Sequence, residues 1–359
     1  MLIASLALAG CGGADPPPFR LNMEGRAADD FEDATLQQIS VLLTAAFGTP
    51  DDPFVFEETG LDMRKLRMAA GPAFGNEDGS QRGLYRQHCA HCHGISGDGA
   101  GPTAAFLVPY PRDYRQGKFK FKSTQRPSKP TDEDLKRVLV QGVPGTAMPS
   151  FRLLPEDELE ALVEYVKYLS LRGEVETHLF LMADDDELPT DRETLVSEAI
   201  EPYVNFWNDA ENQIIVPPAP ADLDEQQMAA ALADGQRLYH DKNVQCAQCH
   251  GPTALGDDPE LRYDDWNKEK NPDEPDLWLL PRQRLQARNL RLGIYRGGRR
   301  PVDLYRRIHA GVNGTPMPEL RTVLTPEEIW HLVHYVQALP YERVGQQPSH
   351  EATALRLRH

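Results

Sequence analysis

The sequence predicts a helical protein built from two tandem domains, and three observations carry that prediction. A block of residues occurs twice in the same order, each copy closes on a segment with apolar residues at helical spacing, and 30 of the 359 residues are proline. Prolines at that density mark much of the remaining chain as loop and connector. Leu159, Leu162, Val163 and Val166 form the closing helix of the first copy; Ile329, Leu332, Val333 and Val336 form that of the second. No apolar run approaches the ~20 residues that a membrane-crossing helix needs. The net charge of −17 argues against an extended nucleic-acid footprint, because binding a polyphosphate rests on Lys and Arg.

Taken from the amino terminus, Leu2 to Ala9 is a short apolar stretch that ends in Leu8-Ala9-Gly10-Cys11, small residues directly before a cysteine. It reads as an export signal lying outside the fold, so that residues 1–11 are signal peptide and terminal cysteine. The Leu-Ala-Gly-Cys segment resembles the lipobox of bacterial lipoproteins, which implies lipidation of Cys11 and a membrane anchor there. Residues 12–75 read as a tether, rich in proline and acid. Within it Leu36, Ile39, Leu43 and Phe47 fall at helical spacing before Gly48 and Pro50, predicting one amphipathic helix whose apolar face docks on a neighbouring domain.

The duplicated block places one domain at 76–172 and a second at 223–341. Leu84-Tyr85 followed by Cys89-Ala-His-Cys92-His93-Gly94 corresponds to Leu238-Tyr239 followed by Cys246-Ala-Gln-Cys249-His250-Gly251. Further on, Gly142-Val-Pro-Gly-Thr-Ala-Met148-Pro149 corresponds to Gly311-Val-Asn-Gly-Thr-Pro-Met317-Pro318. Residues 173–222 read as an acidic linker and 342–359 as a tail. The linker holds 13 Asp and Glu against a single Arg, so it alone carries −12 of the total charge, whereas the first domain sums to +2 and the second to −2. It is expected to be a solvated spacer, the alternative being that it lies across one of the basic loops described below.

A Cys-x-x-Cys-His run serves haem attachment, half of a zinc site or a thiol redox pair. Zinc needs further ligands to close a tetrahedron, and a redox pair has no use for the following His. Haem attachment needs all three residues: two thiols add to the vinyl groups on one porphyrin edge, and the adjacent His is thereby held under the iron. Two occurrences in an exported chain favour haem c at both, bound by Cys89 and Cys92 with His93, and by Cys246 and Cys249 with His250. The opposite iron ligands are expected from Met148 and Met317, 55 residues after His93 and 67 after His250, in matching Gly-Thr-x-Met-Pro loops. The other methionines share no such loop and read as packing residues. Thioether ligation favours the ferrous state and raises the potential, and with both axial positions filled by protein neither iron is open to a substrate.

On these residues, together with the Gly97-Asp-Gly-Ala-Gly101-Pro102 loop, both segments resemble class I c-type cytochrome domains. The resemblance implies an all-α fold in which the helix before the Cys pair crosses the terminal helix, with the haem between them. The second copy departs from the pattern by an acidic insertion, Asp257 to Asp276, and by three extra residues between Tyr239 and Cys246. What the resemblance implies is a dihaem electron carrier, not an enzyme. It would be anchored on the periplasmic side of the cytoplasmic membrane and pass single electrons between a quinol-oxidising complex and a terminal oxidase. The rivals are a fixed subunit of a larger oxidase or dehydrogenase, and a dihaem peroxidase or thiosulfate-oxidising enzyme.

Basic residues cluster between each Cys pair and its methionine. Arg112, Arg115, Lys118, Lys120, Lys122, Arg126 and Lys129 fall in the first copy; Arg282, Arg284, Arg288, Arg291, Arg296, Arg299, Arg300, Arg306 and Arg307 fall in the second. Arg112 and Arg288 align between copies and are the candidates for haem propionates. The rest read as a solvated face or a docking patch. His331 and His334 on the last helix read as solvated, and Tyr165 and Tyr335, at matching helix positions, as packing residues.

Overall fold

The computed structural model describes residues 17–344 except 25, 27–29, 76, 79–80, 261, 264–279 and 282. The signal segment with Cys11, most of the acidic insertion, Arg282 and most of the tail lie outside the described residues. The helices are α1 (Asp33–Phe47), α2 (Met63–Ala69), α3 (Leu84–His88), α4 (Ala90–His93), α5 (Asp132–Gln141), α6 (Glu156–Asp184), α7 (Arg192–Thr194), α8 (Glu201–Asn208), α9 (Glu225–His240), α10 (Cys246–His250), α11 (Pro301–Ala310) and α12 (Pro326–Ala338). Among the described residues β-pairing is limited to two isolated bridges, so the all-α class expected from the sequence is the observed one.

The second domain follows the expected plan. Asp224 caps α9 in a reciprocal box with Gln227, and Thr325 caps α12 in the same way with Glu328. The two helices cross at Gly235: a Cβ there would lie 2.7 Å from the Tyr335 Cβ and closer still to the His331 carbonyl. Glycine is what lets the backbones approach. Leu238, Tyr239, Leu304, Tyr305, Leu332, Val333 and Leu339 fill the core beneath this crossing. His331 sits at the crossing rather than on a solvated face, its Nδ1 2.8 Å from the Asp234 carboxylate, and His334 stacks beside Trp330.

The core of the first domain extends beyond the repeat at 76–172. One continuous core runs from Ile39 to Val204, drawing on the presumed tether, the repeat and the presumed linker alike. The apolar face of α1 does dock as expected, with Ile39, Leu43, Ala46 and Phe47 buried against α6. Helix α2, capped by the Asp62 carboxylate, packs on α6 beside the short α3; between them they fill the place that α9 alone fills in the second domain. α6 does not stop near residue 172. Gly173 leaves room for the Arg115 backbone to lie against the helix, and no breaker follows before residue 184, so Val175, Leu179 and Phe180 continue the buried face. The chain then returns as α7, a π-helical turn over Leu195–Ile200 and α8. Pro202 has no N–H to donate into the preceding turn, which accounts for the widening.

The acidic linker is therefore folded. Its Glu176 is fully buried, paired with Arg172 at 3.0 Å and accepting from the Asn22 N–H at 2.7 Å; its Glu174 is buried against Lys129. Asp184 to Glu187 remain exposed. One linker acid thus meets the first basic loop, while the acidic run itself stays in solvent.

Candidate haem sites

Each Cys pair is held by one helical turn, α4 with Cys89 as its N-cap or α10, that ends at a glycine with positive φ, Gly94 at 74° and Gly251 at 77°. The matching tyrosines clamp that turn. The Tyr85 hydroxyl donates to the Gly94 carbonyl at 2.9 Å, and the Tyr239 hydroxyl donates to that of Gly251 at 2.7 Å. Tyr85 packs on Tyr165 and Tyr239 on Tyr335, which confirms Tyr165 and Tyr335 as packing residues.

The histidines are oriented identically. His93 Nδ1 is 2.9 Å from the Arg112 carbonyl, and His250 Nδ1 is 2.9 Å from the Arg288 carbonyl. A carbonyl accepts only, so Nδ1 carries the proton and Nε2 keeps its lone pair for a metal. Burial lowers the basicity of both rings, His93 to about 4, so each imidazole is neutral, as a ligand must be. Arg112 and Arg288, chosen from the alignment of the repeats, thus have a backbone role. The Arg288 guanidinium itself donates to the Ile294 carbonyl at 2.9 Å.

The methionine loops also coincide. Thr146 Oγ1 donates to the Val143 carbonyl at 2.8 Å and accepts from the Met148 N–H at 3.1 Å. Thr315 Oγ1 does the same with Val312 at 2.9 Å and Met317 at 3.2 Å. Gly142 and Gly311 open the two loops with φ of 66° and 68°, where a Cβ would strike the Met-Pro backbone. Met148 and Met317 are half-buried, Met148 packing against the first core as Met23, Met63 and Met182 do, whereas Met68 and Met228 are buried in the cores.

The rival readings of the cysteines fare poorly. Burial pushes the thiols of Cys89 and Cys246 up to about 12, the reverse of the lowered pKa that a redox pair requires. Among the described residues no three His, Cys, Asp or Glu side chains converge as a metal set. Unpaired thiols beside a neutral imidazole with its Nε2 available form a donor set that fits covalent haem.

The family model of cytochrome c oxidase, cbb3-type, subunit III matches residues 76–166 and 230–336, more than half of the chain. The chain belongs to this family of c-type cytochromes. Cytochrome c55X of Paracoccus denitrificans is 36% identical over 101 residues, 27% of this chain and 79% of the relative. A chain of the reducing HAO-like protein complex of Kuenenia stuttgartiensis superposes with a TM-score of 0.51 at 27% identity, covering 75% of this chain and 98% of that one. This c-type cytochrome accordingly binds haem c covalently and transfers electrons.

Several of the basic residues in this cytochrome's loops turn inward, although Arg284, Arg299 and Arg300 stay exposed. Arg115 is buried against Asp113 and Glu24, Arg291 donates to the carbonyls of Thr253, Leu339 and Glu342, and Arg307 to those of Arg296 and Gly298. These groups brace loops, so the cluster is not one docking patch. The tyrosine clamps and the carbonyl partners of the histidines escaped the sequence reading. The first were signalled by the repeated Leu-Tyr pair, the second by nothing beyond the alignment of the two arginines.

Proposed function

We propose that this chain is a dihaem cytochrome c, lipid-anchored at Cys11 on the periplasmic side of the cytoplasmic membrane, that relays single electrons between a quinol-oxidising complex and a terminal oxidase. The observation that carries the dihaem reading is the duplication of the whole site: Cys pair, carbonyl-anchored His and threonine-braced methionine loop. Bound haem supplies a reversible one-electron step between ferrous and ferric iron. The chain's own work is to hold His93 and His250 neutral and oriented, and to present Met148 and Met317 from loops with little freedom, so that ligation need not rearrange between redox states. Held by these residues, haem would exchange electrons without taking a substrate, and on this reading the protein is a carrier and not an enzyme.

Mass spectrometry of the denatured holoprotein should show two haems; one haem would refute the reading for the other site. Met148→Ala and Met317→Ala should each remove the weak near-infrared sulfur-to-iron band of one haem and lower its potential, and an unchanged spectrum would overturn that ligand. Cys11→Ser, exported normally, should leave the membrane fraction. A second reading, that the chain is an electron-delivering subunit of a larger oxidoreductase, is supported by the 98% coverage of a chain from an HAO-like complex. Stoichiometric co-purification with a partner at moderate salt would favour it over a free carrier.

A further inference from the structure

The two methionine loops do not face solvent alone. Arg126, from the first domain, donates to the Thr315 carbonyl at 3.0 Å and to the Met317 carbonyl at 3.3 Å in the second. In return Arg296, from the second domain, donates to the Gly145 carbonyl at 3.2 Å, three residues before Met148. The Arg288 guanidinium lies against the same glycine, where a Cβ would meet its Nη2 at 2.6 Å.

Both arginines are presented from braced loops. The Lys122 side-chain nitrogen donates to Thr124 Oγ1 at 3.0 Å, to the Ser128 carbonyl at 2.7 Å and to the Gln125 carbonyl, and the Gln125 N–H donates to Gln213 at 3.0 Å. On the other side, Arg307 holds the carbonyls of Arg296 and Gly298. The loops touch directly: Phe121 lies so close to Gly297 that a Cβ there would be 2.5 Å from its ring. A guanidinium on two carbonyls that flank Pro316 restrains the backbone that carries the Met317 sulfur.

We propose that each domain pins the sixth-ligand loop of the other: Arg126 is a positioning residue for Met317, and Arg296 is one for Met148. The inference rests on the assignment of Met148 and Met317 as iron ligands. Docking of the domains and the firmness of methionine ligation are then one property, and any change that separates the domains loosens both ligands. A loop that is only braced within its own domain would show no such dependence.

The test uses the full ferric holoprotein and imidazole, which must displace the methionine to bind iron. Arg126→Ala should raise the imidazole affinity of one haem by at least roughly tenfold, the effect of losing even one of its two charge-assisted hydrogen bonds, and lower the potential of that haem. The gain should vanish when combined with Met317→Ala and persist with Met148→Ala. Arg296→Ala should show the opposite pairing, and Arg126→Lys, with one ammonium for two carbonyls, should recover part of the parent behaviour. An unchanged affinity, or a gain cancelled by the methionine of the arginine's own domain, would overturn the proposal. If instead Met317→Ala alone leaves the near-infrared band and imidazole binding unchanged, the ligand assignment itself fails, and the two failures are distinct.

Discussion

Replacing Lys129 by methionine tests whether residues 173–222 belong to the first domain's core. Lys129 and Glu174 keep only 8% and 10% of their side-chain surface exposed. The Lys129 nitrogen also donates to the Gly117 carbonyl at 3.1 Å and lies 5.6 Å from the centre of the Trp207 ring. It thus joins the first basic loop, the extension of α6 and α8. Without it, Glu174 is left in a site whose desolvation pushes its pKa above the ordinary carboxyl range. Removing one member of a buried pair costs about 3–5 kcal/mol. The loss is bounded by the alternative of protonating the carboxyl, which at pH 7 costs about 3.5 kcal/mol at 1.36 kcal/mol per unit above the usual Glu range. Near 2–4 °C per kcal/mol for a body of this size, the melting temperature should fall by roughly 10 °C. The sign of the pH dependence follows. In the variant the folded-state pKa of Glu174 is raised, so its contribution is intact below the unfolded value and is lost as pH rises toward neutrality. Thermal unfolding of the holoprotein followed by circular dichroism should therefore show a large deficit at pH 7 that shrinks at pH 5. Lys129→Met combined with Glu174→Gln should recover most of it and abolish the pH dependence. A variant as stable as the parent at pH 7 would refute the packed connector.

Two further expectations concern the second domain. Gly235→Ala should force α9 and α12 apart; overpacking of about 1–3 kcal/mol against a helix-propensity gain of about 1 kcal/mol leaves a net loss of roughly 1 kcal/mol, read as a lower urea midpoint. His334 is held near pKa 4 by burial, down from 6.5, so the unfolded state takes up the extra proton and stability should decline as pH falls from 6.5 toward 4. His334→Gln should flatten that part of the stability profile, and an identical decline in both proteins would refute the assignment.

The chemistry was legible in the linear sequence wherever it depends on neighbours along the chain. Haem attachment needs two thiols and an imidazole within one helical turn, so Cys89, Cys92 and His93, and their counterparts, announce it locally. Met148 and Met317 became the proposed opposite ligands by a different route: the repeat supplied an internal comparison that no lone methionine offers. Helical spacing likewise marked α1, α6 and α12, because a 3.6-residue period is a property of the chain itself.

Charge was the poorest guide, because the count of a residue type does not reveal which partner it meets. A linker of −12 resembles a spacer, yet Glu174 and Glu176 are buried against Lys129 and Arg172. Basic loops resemble a docking surface, yet Arg115, Arg291 and Arg307 are spent on carboxylates and carbonyls within their own domains. By itself the sequence determined the tandem repeat and the helical class and singled out the attachment residues proposed above, since each follows from spacing within a few turns of chain. Only the tertiary structure decided that α6 runs on past Gly173, that tether and linker enlarge the first core, and that Arg126 and Arg296 each reach the methionine loop of the opposite domain. Those outcomes depend on hydrogen bonds and burial between residues as many as 191 positions apart, whose energies exist only once the chain has brought them together.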